Sequence, residues 1–562
     1  MPITRRELIT GAAAGAGGLV IGGVTGSLIG GGDDGGGGGG ETSLSGQAAK
    51  VAEERKLSPD DVTRAVKTFI PPGGEAKDEF FLICSGGHSG QVIVMGVPSM
   101  RTLKVIGVFA PEPWQGHATG AAHSNEIISK GTDAKSKPTS AAGGNLTWGD
   151  THHPALSETK GEYDGRWAYI NDRANGRIAM IDLRDFKVKQ IVDVPNLDSS
   201  HGGVFCTPNS EYVHISTMSP TLLDPTKAET ALANFKDAFR GFSTFLKVDE
   251  KTGRMDLAKS FQIELPPYTQ DLADSGKLVS DGWVFINSYN SEMAFGGNNE
   301  GGKPLEVGAS ANDFDMMHII NWKKAEQVVA SKAKTINGMR VIPMDVAVSE
   351  GILHLAPEPK SPHGVDVAPN GNYISVGGKL DPHVTIYSME KIKAAIERKD
   401  YEKVDQFGVP VLKLDSVVAG RVEVGLGPLH TQYDAEGHGY ISLFLDSAVA
   451  KFSLGEPYSS GDKAFQLVDK LPVHYNIGHL MTMEGDSTKP AGKYLVALNK
   501  LAIDRFVPVG PLHPQNHQLI DISNDKMQLL YDMPLPLGEP HYAVSISAAK
   551  LKPGVRYKVG TD

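Results

Sequence analysis

Trp167-Ala-Tyr-Ile-Asn, Arg177-Ile-Ala-Met-Ile-Asp and Gln190-Ile-Val-Asp-Val are three short apolar runs joined by the tight polar turns Asp172-Arg-Ala-Asn-Gly and Asp185-Phe-Lys. Runs of this length, rich in β-branched and aromatic residues and bounded by Asp, Asn and Gly, are strands, and connections this short reverse the chain into an antiparallel meander. Outward from this stretch, the same texture begins near Phe80 and returns at Val365-Asp-Val-Ala-Pro-Asn-Gly-Asn-Tyr-Ile-Ser-Val, Tyr440-Ile-Ser-Leu-Phe-Leu-Asp and Tyr494-Leu-Val-Ala-Leu. Strand, turn and strand recurring to the end of the chain predict an all-β fold whose repeat is one four-stranded blade of a propeller. The amphipathic stretch Lys391 to Arg398 reads as a helical insert on the rim, with its charges solvated.

Length and composition narrow the function. At 562 residues the chain is long for one domain, yet radially repeated β folds reach this size without splitting. Charged residues at 22% and apolar residues at 40% describe an ordinary soluble globular protein. A net charge of −11 and an isoelectric point near 5.9 speak against nucleic acid, which needs a basic stripe. They fit a small neutral ligand or a redox partner. Only Cys84 and Cys206 are present, so a disulfide framework or a Cys-rich metal site is excluded and both thiols are expected as small buried hydrophobes.

The N-terminus places Thr4-Arg5-Arg6-Glu7-Leu8-Ile9 before a Gly/Ala-rich apolar run, so residues 1–30 read as a twin-arginine signal for export in the folded state. The protein is then periplasmic or extracytoplasmic, with the segment either cleaved or kept as a membrane anchor. Residues 31–45 are a Gly-rich linker. Residues 46–79 carry helical spacing, with Ser58 as a start and Val62, Ala65, Val66 and Phe69 on one face, and predict an N-terminal helical strap. The propeller spans 80–562.

Seven histidines sit in Gly/Pro or paired-His contexts: His152 and His153 in Asp-Thr-His-His-Pro, His201 in Ser-His-Gly-Gly, His363 in Ser-Pro-His-Gly, His430 in Gly-Pro-Leu-His-Thr, His479 in Ile-Gly-His-Leu and His541 in Glu-Pro-His. Turn residues fix the backbone beside each imidazole so that the ring can be aimed. The intervals 201−153 = 48, 430−363 = 67, 479−430 = 49 and 541−479 = 62 are each about one blade, whereas 363−201 = 162 leaves room for about three. His88, His383, His438 and His513 also have Gly or Pro neighbours, so turn context alone does not select the seven. Imidazole-only ligation suits copper or zinc, and seven ligands exceed what one zinc ion takes, which favours several coppers around a soft inorganic bridge.

Asp150-Thr-His-His-Pro, Tyr163-Asp-Gly-Arg-Trp-Ala-Tyr-Ile-Asn-Asp-Arg-Ala-Asn, Ser288-Tyr-Asn-Ser-Glu, Pro362-His-Gly, Gly378-Lys-Leu-Asp-Pro, Gly425-Leu-Gly-Pro-Leu-His-Thr, Asp504-Arg-Phe-Val-Pro-Val-Gly-Pro-Leu-His-Pro, Gln518-Leu-Ile-Asp-Ile-Ser and Gly538-Glu-Pro-His resemble nitrous-oxide reductase. The resemblance runs over roughly residues 80 to 560, with the motifs in the family's order. It implies a seven-bladed β-propeller holding a tetranuclear copper–sulfide cluster on all seven histidines, and reduction of nitrous oxide to dinitrogen and water in denitrification. Lys500 and Glu539 match the family's lysine and glutamate beside the substrate edge. Asp150, two residues before His152, is expected to accept from a ligand ring and orient it.

Two departures accompany the resemblance. The family's calcium site is matched by Tyr289 and Glu292, with Asp315 as a third ligand, while the family's asparagine before Pro-His-Gly is Ser361 here. The family's C-terminal cupredoxin domain and its binuclear copper electron-entry site are absent from this sequence. Electrons are therefore expected from an external cupredoxin or cytochrome, in a homodimer like the family's. Alternatives are a truncated or non-catalytic copper-binding propeller or scaffold, and a lactonase- or quinoprotein-type propeller without copper.

Overall fold

The turn at Gly176 shows how the opening meander is made. Its φ is +63°, and a Cβ placed there would lie 2.1 Å from the Leu197 carbonyl oxygen, so only glycine lets the chain reverse so close to its neighbour. The flanking strands Glu162–Asp172, Arg177–Asp182 and Lys187–Asp193 pair antiparallel, with Trp167 opposite Asp182 and Arg177 opposite Asp193. Thr151–Thr159 adds on the inner side and completes a four-stranded sheet. The computed structural model that carries this sheet describes residues 53–54, 56–58, 78–110, 149–227, 231, 234–289, 315–474, 477–500, 515–535 and 539–551. The expected export signal and linker, and nearly all of the strap over 46–79, lie outside the described residues.

Among the described residues the strands form seven sheets with few helices, arranged as an all-β propeller. Their innermost strands are Thr151–Thr159, Phe205–Cys206, Thr269–Ser275, Pro362–Val367, Pro428–Tyr433, Ile477–Thr482 and Ala543–Ser547, each packed against the next around a ring. The ring closes because the first strand of its sheet, Phe80–Ser85, pairs antiparallel with Ala543–Ser547, Phe80 opposite Ser547 and Cys84 opposite Ala543. Uniting the first and last of the described strands in one sheet removes the seam at which a radial array would open.

Burial follows from this arrangement. Middle strands lie between neighbouring sheets, so both faces are covered and the sequence reads as an unbroken apolar run, as in the wholly buried Tyr494–Asn499. Outermost strands such as Leu467–Pro472 and Gln528–Pro534 are partly exposed and more polar. Cys84 and Cys206 are buried free thiols. The expected rim insert is the helix Met389–Arg398, capped by the Ser388 hydroxyl accepting from the Lys391 backbone N–H and burying Met389, Ile392 and Ala395.

The sheets are less uniform than the sequence reading allowed. The 162-residue interval between His201 and His363 is expected to hold about three units, and it holds a seven-stranded sheet and the four inner strands of a six-stranded one. Within the interval the inserted strand Met339–Ile342 runs parallel to Met255–Leu265 and extends that sheet's outer edge, and from beyond His363 Pro410–Leu412 runs parallel to Leu353–Pro357. Chain length therefore overestimates the number of blades wherever an insertion pairs onto an existing edge.

One buried ion pair ties this scaffold to the centre of the ring. Asp172 and Arg177 are both fully buried, and Asp172 Oδ2 accepts from the Arg177 guanidinium while its Oδ1 accepts from the backbone N–H of Asp150 and of Ala174, both at 3.0 Å. Gly149 makes the room, since a Cβ there would sit 2.2 Å from Asp172 Oδ2. Removing one partner of such a pair strands the other charge, so Asp172→Ala should destabilise the protein by about 3–5 kcal/mol. A denaturant midpoint within error of the wild type would contradict this account.

Candidate metal centre

Strand geometry alone would send alternate side chains to opposite faces, yet His152 and His153 are neighbours in one strand and both are buried with their rings 5.3 Å apart at the ring axis. A register shift between Thr151 and Pro154 makes this possible, because a bulge re-aims a side chain that regular pleating would turn away. The same irregularity falls between Pro362 and Val365 around His363, between Pro428 and Thr431 around His430, and between Ile477 and His479. His201 enters before Phe205–Cys206, where a Cβ on Gly202 would lie 1.8 Å from Leu272 Cδ2 and 2.8 Å from the His153 ring. His541 precedes the closing strand Ala543–Ser547.

The structure brings all seven imidazoles together. His152 and His541 have ring centroids 3.6 Å apart, His430 and His479 3.8 Å, His153 and His479 4.9 Å, and His201 and His363 5.5 Å. Ligand atoms of His152, His153, His201 and His541 lie within 4.8 Å of one another, and so do those of His363, His430 and His479. Nε2 of His152, His153 and His430 and both ring nitrogens of His479 are buried without a hydrogen-bond partner. Buried polar atoms are rarely left so, and five such nitrogens facing one another fit a metal ion or cluster.

Carboxylates hold the outer sides of these rings. Asp271, on the inner strand Thr269–Ser275, meets His201 Nδ1 with one oxygen and His363 Nδ1 with the other. Asp150 Oδ1 lies 3.3 Å from His152 Nδ1, Asp366 Oδ1 lies 3.4 Å from His430 Nδ1, and Glu539 Oε1 lies 3.3 Å from His541 Nδ1. Asn171 accepts from the His153 backbone N–H and donates to the His201 carbonyl, both at 2.8 Å. Tyr542 stacks on His153 with ring centroids 4.5 Å apart.

Lys500 and Glu539 meet at His541. Lys500 Nζ is 3.0 Å from His541 Nδ1, and its alkyl chain crosses Gly478, where a Cβ would collide with Lys500 Cε at 2.5 Å. Burial lowers the Lys500 pKa to about 8; Lys379 and Arg173 push the same way, against Glu539 and Asp271. Burial raises Asp150 to about 6, opposed by His88 and Arg173. Burial alone would raise Asp271, but His363 and His201 hold it well below the carboxylate range.

Asp150 thus stands beside the His152 ring. Asp271 and Asp366 carry no local signal, since the rings they meet lie on other sheets, and Asn171 and His88 meet partners 18 or more residues away in the chain. Of the expected calcium residues, Tyr289 ends the strand Trp283–Tyr289 and Asp315 directly precedes Met316–Asn321. Ser288 and Met316 exchange hydrogen bonds of 2.8 and 2.9 Å between these strands. Burial pushes the Tyr289 phenol up to about 12. Glu292 lies outside the described residues.

Residues 470–541 match the family described as nitrous oxide reductase propeller repeat. Nitrous-oxide reductase of Stutzerimonas stutzeri is 32% identical over 495 residues, covering 86% of this chain and 70% of that protein. The same-named enzyme of Pseudomonas fluorescens is 33% identical, covering 87% and 71%. Among solved structures, a functionally unknown protein from Desulfotomaculum acetoxidans DSM 771 aligns over 84% of this chain and 99% of its own, at 10% identity and a TM-score of 0.42.

Two outcomes follow from the geometry. Asp271→Asn removes the charge that holds two rings, so affinity for an added metal ion, read by chelator competition, should fall about 10–100-fold, with unchanged affinity contradicting the role. All seven imidazoles are held below the histidine range, with burial the largest cause. A histidine with a lowered folded pKa binds more protons when unfolded, so its stabilisation is intact above about pH 6.5 and lost as pH falls. Metal-free protein should therefore show a urea midpoint that drops steeply below about pH 6.5, whereas a flat profile would contradict neutral, crowded rings.

Proposed function

The chain belongs to the nitrous-oxide reductase family, and from that membership we propose that its histidine centre reduces nitrous oxide, N2O + 2H⁺ + 2e⁻ → N2 + H2O, with the seven sheets serving as seven blades around it. The observation that carries this reading is the convergence of seven imidazoles, six buried and that of His201 part-buried, several with unpaired ring nitrogens, with Lys500 and Glu539 meeting at the ring of His541.

His152, His153, His201, His363, His430, His479 and His541 would hold a tetranuclear copper–sulfide cluster. When bound, that group supplies electrons and a Lewis-acidic edge to a substrate that is a poor ligand. The protein supplies the rest. Asp150, Asp271 and Asp366 fix ring orientation, and burial of the rings excludes bulk water. Lys500, with its pKa lowered to about 8, can hold a proton near neutral pH or release it, which suits protonation of the departing oxygen. Glu539, in contact with His541, is the carboxylate placed to resupply that edge.

The same reading places calcium on Tyr289, Glu292 and Asp315. It assigns residues 1–30 to twin-arginine export into the periplasm or another extracytoplasmic space, with membrane anchorage if that segment is retained. It also makes the working form a homodimer supplied with electrons by a cupredoxin or cytochrome.

Copper and acid-labile sulfide content, the visible spectrum, and nitrous oxide reduction by reduced viologen test the assignment on anaerobically purified protein. A full cluster with turnover is expected. A full cluster without turnover would make the chain a copper-holding scaffold, and absence of copper would overturn the reading. Lys500→Ala should keep its copper and lose turnover by about 10²–10⁴-fold. Loss of copper in that variant would instead give Lys500 a structural role.

A further inference from the structure

Several inner strands carry a histidine near the end where the chain enters them and a carboxylate near the end where it leaves. Thr151–Thr159 runs from His152 and His153 to Glu158, and Pro362–Val367 runs from His363 to Asp366. Asp274 lies near the end of Thr269–Ser275, and Asp486 follows Ile477–Thr482, the strand of His479. Four sheets thus send four carboxylates to one place inside the ring of inner strands. They line a cavity of about 50 Å³, which His153, His430, Tyr163 and Tyr542 also line. That volume holds an ion with a few waters and is too small for an organic ligand of any size.

Three of the four carboxylates are fixed in place by the chain around them. Asp274 accepts from the backbone N–H of Ser275 with Oδ1 and from that of Val367 with Oδ2, both at 2.7 Å. Asp366 Oδ2 accepts from the Thr431 N–H at 2.7 Å. Asp486 Oδ2 accepts from the Tyr163 and Tyr542 hydroxyls at 3.3 and 3.2 Å, and its Oδ1 accepts from Gln432 Nε2. Glu158 differs. It is only 8% exposed, its backbone N–H and carbonyl are both bonded to the Ser210 hydroxyl, and its carboxylate accepts no hydrogen bond among the described residues. Buried polar groups are rarely left so, and this one lines the cavity, so it points to an occupant. Lys277, 3% exposed, faces the group with its Nζ donating to the Asp486 carbonyl. One ammonium against four ionised carboxylates leaves three negative charges without a partner. Burial, opposed by Lys277, pushes Asp274 up to about 7 and Glu158 well above the carboxylate range. Either protons or a cation must relieve that excess.

We propose that the cavity is a cation site, taking a hard divalent ion of the calcium or manganese class with part of its water shell between Glu158 and Asp274, while Asp366 and Asp486 add charge. Carboxylate oxygens suit such an ion, whereas the softer metals that favour imidazole belong to the histidine centre. A monovalent ion would leave two of the three excess charges unmet. The bound ion cross-links the exit ends of inner strands from separate sheets and gives Glu158 the partner that no side chain supplies. Its donors are distinct from Tyr289, Glu292 and Asp315, and its binding is independent of what the histidine centre catalyses.

Titration of the full-length protein with Mn²⁺ tests this, the free ion being counted by its electron paramagnetic resonance signal. Glu158→Gln and Asp274→Asn each remove one charge and keep the side chain's shape, so each should weaken one bound Mn²⁺ by about tenfold or more. Glu158→Asp keeps the charge and should recover part of the affinity. Added Mn²⁺ should also raise the urea midpoint of the wild type more than that of Glu158→Gln. Mn²⁺ bound as tightly by both neutral variants as by the wild type overturns the proposal. A second measurement needs no variant: crystals of the wild type grown with Mn²⁺ should show an anomalous-scattering peak between Glu158 and Asp274. A cavity that holds only water in those crystals overturns the proposal and leaves protonation to relieve the charge.

Discussion

Seven imidazoles packed side by side, six of them buried and that of His201 part-buried, are the constraint to which the rest of this molecule answers. With centroids as close as 3.6 Å, the rings cannot share positive charge, and burial keeps each below its ordinary pKa. Their unpaired nitrogens are a liability that an electrophile at the centre relieves. Asp150, Asp271, Asp366 and Glu539 each meet a ring at its Nδ1.

Aiming those rings required breaking regular strand geometry at the same place in several sheets. Register shifts at His152 and His153, at His363, at His430 and beside His479 turn side chains inward that a regular pleat would send elsewhere. Each local distortion is held by long-range contacts. Asp172, buried against Arg177, fixes the backbone of Asp150 just before the paired histidines. The inner strand Thr269–Ser275 carries none of the seven histidines, and it supplies Asp271, which braces two of them at once.

The charge balance is uneven around the centre. Lys500, Glu539, Asp150, His88 and Arg173 gather near His541 and His152, whereas Tyr542 packs its ring on His153. Asp271 and Asp366 place further carboxylates on the rings of His201, His363 and His430.

The chain carries in its local pattern the strand–turn texture, the rim helix Met389–Arg398, the buried state of both thiols and the seven histidines in turn contexts, because each depends on residues only a few positions apart. The family motifs, by resemblance, also pointed to Lys500 and Glu539. Local pattern could not tell how the long interval between His201 and His363 divides, since strands added to an existing edge look like new units until their pairing is known. Nor could it find Asp271, Asp366 or His88: Asp271 is 70 and 92 residues from the rings it braces, Asp366 is 64 residues from His430, and His88 meets Glu539 only because the ring closes the last strand onto the first. Periodicity and turn chemistry are set by neighbours in sequence, whereas the partner of a ring nitrogen is set by which strands the closed ring brings to its axis.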